Sequence, residues 1–211
     1  HPADLRKPQK WLQGWGNENI RATSSSGGFG QEIMRAMIRN GGAVAACKLK
    51  EGEFKFELFE DEYRIPEFIG SKYVKSNPTG IYQTVKDRLK TGKKVLFIGL
   101  PCQVSAMRNY VKDDKNLYTV DLICHGSPSA KLLHKAISEY GYDLKKVKAI
   151  YFRSADKFAI ETQPVPIVPK GVQDRYTMAF LSGLCYTENC YSCHYAQTER
   201  VGGLTIGDSW G

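Results

Sequence analysis

Apolar and polar residues alternate with several different periods along the chain, and each change of period marks an element. After Ser24-Ser25-Ser26-Gly27-Gly28, the apolar residues Phe29, Ile33, Met37 and Ile38 recur at helical spacing, and Gly41 falls where a helix stops. Residues 43–50 and 55–60 read as strands of a hairpin turning at Glu51-Gly52-Glu53. Residues 81–89 form an amphipathic helical stretch ending near Gly92. The unbroken run KVLFIGL at 94–100 reads as a buried strand, 102–111 as a helix, and 117–124 as the next buried strand. Residues 130–140 give a helix stopped by Gly141, and 147–153 a further strand. This alternation predicts an α/β fold: a mainly parallel or mixed sheet flanked by helices.

The remaining stretches are less regular. Residues 158–173 are proline-rich and read as a loop covering a site. Residues 176–184 give a short helix that leads into a loop-rich, cysteine-bearing C-terminal segment, and 204–208 a last strand. Residues 1–23, with Trp11 and Trp15, read as an irregular lead-in, and 24–211 as one domain. His1 takes the place of an initiator Met, so the sequence reads as part of a longer protein.

Composition narrows the class. With 42% hydrophobic and 25% charged residues among 211, the chain can bury a substantial core. No apolar run approaches the roughly 20 residues that span a bilayer, and no secretory leader is visible, so a cytoplasmic protein without a membrane span is expected. The net charge is +8. Its basic residues include two scattered groups (Lys86, Arg88, Lys90, Lys93 and Lys94; then Lys145, Lys146 and Lys148), neither of them an unbroken arm. They fit solvated helix faces or an anionic cofactor or partner, and no nucleic-acid partner is expected.

The six cysteines carry the chemistry. In a chain of this kind a disulfide framework explains them poorly and metal or redox use explains them better. Cys190 and Cys193 form a CxxC pair, which can turn two sulfurs toward one point. Cys102 follows one buried strand in GLPCQ, and Cys124 ends the next in LICHG. In a parallel sheet those strand ends share one crevice, so CYSC folding over that edge would bring four sulfurs together. Four thiolates suit a structural zinc or an iron–sulfur cluster, and spacing alone leaves both open. Cys47 reads as core, Cys185 as core filling, and His125 as either a hydrogen-bonded structural residue or a proton relay.

Three segments are candidate anion sites. Ser25, Ser26, Gly27 and Gly28 before a helix offer hydroxyls, open N–H groups and a positive dipole end, although a simple N-cap reads equally well. Gly99 and Pro101 flank a strand-to-helix turn. Ser71, Lys72 and Tyr73 supply a hydroxyl, a cation and a ring, where polar surface is the plainer reading. None of these is a GxGxxG or Walker loop.

Taken in order, SSSGG, SKYVKS, VLFIGLPCQVSAMR, VDLICHGSPS, GLCYTENCYSCHYA and TIGDSWG resemble the C-terminal domain of the coenzyme F420 hydrogenase/dehydrogenase beta-subunit family. The resemblance runs from about Ser24 to Gly211. It implies FAD and a 4Fe-4S cluster, with Cys102, Cys124, Cys190 and Cys193 as cluster ligands. FAD contacts are implied at Ser25 to Gly28, Ser71 to Tyr73 and the Gly99 to Pro101 turn, with Asp208 and Trp210 lining the same site. It also implies an oxidoreductase. Such a protein exchanges electrons with a ferredoxin-like or iron–sulfur partner domain or subunit, and it passes them to coenzyme F420 or another acceptor. Two features depart from the family pattern. The chain lacks the CxxCxxC runs of an N-terminal ferredoxin segment, and Arg200 is followed by Val201-Gly202-Gly203 where many members read R-x-S-D. The rival expectations are a zinc-stabilised protein-binding module without redox activity, and thiol–disulfide exchange at Cys190 and Cys193.

Overall fold

The computed structural model describes residues 5–112, 114–154, 157–169 and 172–208. Its centre is a five-stranded sheet in the order β2-β1-β3-β4-β7, formed by β1 (Ala43–Lys50), β2 (Glu53–Phe59), β3 (Val95–Gly99), β4 (Leu117–Leu122) and β7 (Leu204–Ile206). β1 and β2 are antiparallel across a two-residue turn in which Glu51 and Gly52 both take positive φ, the turn whose twist suits a tight hairpin. The other pairings are all parallel, so the expected α/β fold with a mixed, mostly parallel sheet is what forms.

Strand alternation sends successive side chains to opposite faces. Ala43, Ala45, Val95 and Phe97 pack beneath α3 (Ile81–Lys90) and α4 (Pro101–Val111), meeting Val85, Leu89, Val104 and Met107. Val44, Ala46, Leu96 and Val120 point the other way, against Met34 of α2 (Phe29–Arg39) and against Ile65 and Phe68 at a 3-10 turn, Glu62–Glu67. Phe97 is fully buried, and burying a side chain of that size contributes about 1.5–3 kcal/mol. A third cluster lies beyond the sheet. It joins Leu133 and Ile137 of α5 (Ala130–Glu139), Phe152 of β5 (Ala149–Ser154), Ile160 of β6 (Lys157–Gln163) and Tyr176 of α6 (Arg175–Leu181).

Three expectations shift in detail. β4 ends at Leu122, which leaves Cys124 just beyond the strand. β5 pairs only with β6, as a separate antiparallel ribbon outside the main sheet. Residues 158–163, read as part of a loop, belong to the strand Lys157–Gln163. Buried Ile160 and Thr162 give the two-residue period, and the prolines that suggested a loop begin only at Pro164. Among the described residues, no helix is long and apolar enough to cross a membrane.

Candidate functional site

The parallel pairing of β3 and β4 aligns Gly99 with Asp121. Cys102 and Cys124 each follow those partners by the same short stretch of chain, so both arrive at the C-terminal edge of the sheet. Cys102 sits in the first turn of α4, with Pro101 opening the helix. Gln103 fixes that turn: its Oε1 accepts from the Leu100 N–H at 3.0 Å, and its Nε2 donates to Ser76 Oγ at 2.9 Å. Gly99 leaves room for this arrangement, since a Cβ there would stand 2.9 Å from Phe97 and 3.3 Å from Gln103 Oε1.

The CxxC segment reaches the same edge through backbone ties. Pro128 and Tyr186 form an isolated antiparallel bridge, and the Thr187 N–H donates to Ser127 O at 3.0 Å. The short helix α7 (Glu188–Tyr191) then presents Cys190, whose sulfur lies 3.2 Å from Thr187 Oγ1. Together these ties place Cys102, Cys124, Cys190 and Cys193 on the wall of one cavity, which Lys75, Leu100, Pro101 and His125 also line. The nitrogen Nδ1 of His125 meets the Tyr186 hydroxyl.

The thiols affect one another. Burial pushes the Cys102 thiol up, the Lys75 charge draws it back down, and Cys193 and Cys190 add to the rise. Burial likewise raises Cys124, with the same neighbouring sulfurs contributing. Bringing four such groups together is costly once they ionise, unless cations join them. Among the described residues, no three His, Cys, Asp or Glu side chains are close enough to hold one metal ion.

A second group of residues lies where the Ser/Gly loop meets the segment containing Ser71. α2 begins at Gly28, whose φ of 79° is left-handed and which has no side chain to cap the first turn. The positive end of α2 thus opens beside Ser25 and Ser26. Gln31, itself buried, holds the loop by donating to Ser24 Oγ at 2.8 Å and Thr23 Oγ1 at 3.2 Å. Ser25 Oγ accepts from the Ser71 N–H at 2.9 Å and so joins two of the expected cofactor segments.

Lys72 and Tyr73 are engaged differently from the sequence reading. The Lys72 ammonium donates to three carbonyls, those of Phe68, Ile69 and Gly70, each at 2.9 Å, and so shapes the turn behind Ser71. The Tyr73 ring stacks on Phe180 at 4.5 Å and Phe158 at 6.1 Å. Its hydroxyl interacts with Arg153, which pairs with Asp208 and lies over the Phe158 ring. Gly99 and Pro101 belong to the cysteine cavity's side of the molecule, where Pro101 forms part of the wall. Trp210 lies outside the described residues.

Sequence reasoning missed Arg153, Lys75 and the pair formed by Arg200 and Asp121. Arg200 Nη2 stands 2.8 Å from Asp121 Oδ2, and Asp121 is completely buried. A charged residue inside the apolar strand LYTVDL, and an arginine just before the final strand, were the available signals.

A family model for the C terminus of the coenzyme F420 hydrogenase/dehydrogenase beta subunit matches residues 92–211. Among solved structures, the chain is similar to one described as a xenon derivatization of the F420-reducing NiFe hydrogenase complex from Methanosarcina barkeri. The two share 18% sequence identity and a TM-score of 0.62, over 92% of this chain and 69% of that one. At that identity the likeness speaks for the fold. No curated protein matches the chain by sequence.

Proposed function

The chain belongs to the coenzyme F420 hydrogenase/dehydrogenase beta-subunit family, and from that premise we propose that it is an electron-transfer module holding a 4Fe-4S cluster and FAD. The observation that carries this reading is the convergence of Cys102, Cys124, Cys190 and Cys193 on one cavity from three separate stretches of chain. When bound, the cluster supplies one-electron steps and the flavin couples them to a two-electron acceptor such as coenzyme F420.

The chain's own residues bind, place and enclose these groups. The four thiols ligate iron, and their loss of protons is favoured once iron charge offsets the burial that raises Cys102 and Cys124. The Ser25, Ser26, Gly27 and Gly28 loop and the open end of α2 receive the pyrophosphate, and Ser71 holds that loop in place. In this reading Lys72 acts through the backbone, by fixing the turn that presents Ser71. The segment from Ser71 to Lys75 touches both sites, so at most about 14 Å of extended chain separates them. A partner protein or domain with its own iron–sulfur centres exchanges electrons at the open edge, where Leu184 and Tyr191 are exposed.

Anaerobic purification, with iron, sulfide and flavin quantified per chain, tests the reading. The expected result is a brown protein containing iron and sulfide in equal amounts for one cluster per chain, plus one flavin. Cys193→Ser should lose the cluster. A colourless protein that binds one zinc tightly and takes up no iron and sulfide would overturn the reading.

A further inference from the structure

Lys75 stands on the same cavity wall as the four cysteines. Its flanking residues Val74 and Ser76 are buried in the body of the protein, whereas Lys75 itself forms part of the cavity wall. The Lys75 N–H donates to Pro128 O at 2.8 Å, which ties the residue to the loop that follows Cys124. Lys75 is half-buried, and among the described residues no carboxylate pairs with its ammonium. The rest of the cavity wall contains no acid. A cation on a cavity wall that holds no acid is better placed when something negative occupies the space beside it.

Four thiolates around an iron–sulfur core carry net negative charge in both oxidation states, and more of it when reduced. A nearby cation therefore stabilises the reduced form more than the oxidised one. We propose that Lys75 is the counter-charge of the cluster held by Cys102, Cys124, Cys190 and Cys193, and that it raises the cluster's reduction potential. The proposal rests on the function assigned above. No bond forms or breaks: one electron enters the cluster, and the fixed ammonium favours its arrival. Lys75 is thus a positioning charge, not a ligand.

The test compares the whole chain, reconstituted anaerobically with iron and sulfide, as wild type, Lys75→Gln and Lys75→Arg. The midpoint potential is read by potentiometric titration followed by electron paramagnetic resonance, beside iron content and melting temperature. Lys75→Gln should keep its fold and cluster yet titrate at a more negative potential, and Lys75→Arg should return toward wild type. A loaded Gln variant that titrates with the wild type overturns the proposal, as does an Arg variant displaced as far as Gln. If the Gln variant loads less iron, the Arg variant decides. Recovery of both loading and potential supports the counter-charge, and failure to recover them overturns it. A wild-type chain that takes up no iron and sulfide removes both this proposal and the function it rests on, whereas a loaded chain with an unmoved potential removes only this one.

Discussion

The cysteine crevice and the Ser/Gly loop lie at the two ends of one short segment, yet they are built on opposite principles. In the loop, groups satisfy each other internally: Gln31 holds Ser24, Ser25 accepts from the Ser71 N–H, and Lys72 is spent on three carbonyls. In the crevice, burial first and the neighbouring sulfurs after it raise the Cys102 and Cys124 thiols, and among the described residues no acid pairs with Lys75. The first region is a finished scaffold that offers backbone and hydroxyl groups. The second sets four thiols and one ammonium around a shared space, which the proposed cluster, net negative with its four thiolates, would fill. Order in the loop comes from hydrogen bonds, whereas order in the crevice comes from the parallel strands and the ties that hold their ends.

The largest test of this contrast is Asp121→Ala. Asp121 is wholly buried and pairs with Arg200, whose side chain is only 14% exposed. Thr205 Oγ1 also donates to Asp121, tying β7 to β4. Removing the carboxylate leaves a largely buried guanidinium uncompensated, at a cost of about 3–5 kcal/mol. Urea denaturation should show that loss together with a failure to retain iron. A loss below about 1 kcal/mol would mean that the crevice edge stands without this pair.

Gly126→Ala should come next. Gly126 has φ 142°, and a Cβ there would run into the Tyr186 ring. Tyr186 bridges to Pro128 just ahead of the CxxC segment, so the displacement passes directly to Cys190. Backbone strain of about 1–3 kcal/mol is expected, and iron retention should fall while flavin retention holds. Equal loss of both cofactors would show that the two regions are not separable.

Much of the crevice was legible in the sequence, because a buried strand ending in a turn, read twice, already places two cysteines at one sheet edge. Cys102 and Cys124 needed only a parallel pairing of residues 95–99 with 117–121, which the intervening helix dictates. The CxxC spacing already offered the partner to those two cysteines, and the family resemblance added the expectation of a 4Fe-4S cluster in place of zinc. What stayed hidden were contacts between residues far apart in sequence. Nothing local to Arg153 announces Asp208, and nothing near Arg200 announces Asp121. Lys72 misled because a lysine beside a serine and a tyrosine resembles a phosphate ligand, whereas its reach back to residues 68–70 depends on the turn after the 3-10 helix.

On the loop side, Gly28→Ala is the counterpart with a smaller effect. The left-handed φ of 79° costs a residue with a Cβ about 1–2 kcal/mol. The new carbon would also stand 2.6 Å from Ile20 Cγ2, which must turn away, and 3.1 Å from Ser24 Oγ. Chemical denaturation should show that loss, and flavin content should fall while iron content stays at the wild-type level. Iron lost in step with flavin would contradict independent assembly.

The smallest expected effect lies under the loop, in the ion network of Lys48, Glu57, Arg64 and Glu67. Hydrogen bonds from Arg64, then Lys48, hold the Glu67 carboxyl down to about 2, against an ordinary value of 4.5. At Glu57 burial opposes ionisation, but Lys48 and Arg64 overcome it and lower that carboxyl too. Because the folded values lie below the unfolded ones, this stability is complete above about pH 4.5 and disappears as pH falls toward 2. Glu67 is 41% exposed, so solvent screening keeps the contribution to about 1 kcal/mol or less. The network sits on the 3-10 turn that runs directly into the carbonyls around Lys72. Acid should therefore lower the amide protection of Ser71, taken relative to the unstructured exchange rate at the same pH, before that of Thr187, whose N–H is tied to Ser127 in the crevice. Glu67→Gln should remove most of that early acid response and leave Thr187 unchanged. If Thr187 opened first, the loop's self-contained bonding would not be the more acid-sensitive of the two constructions.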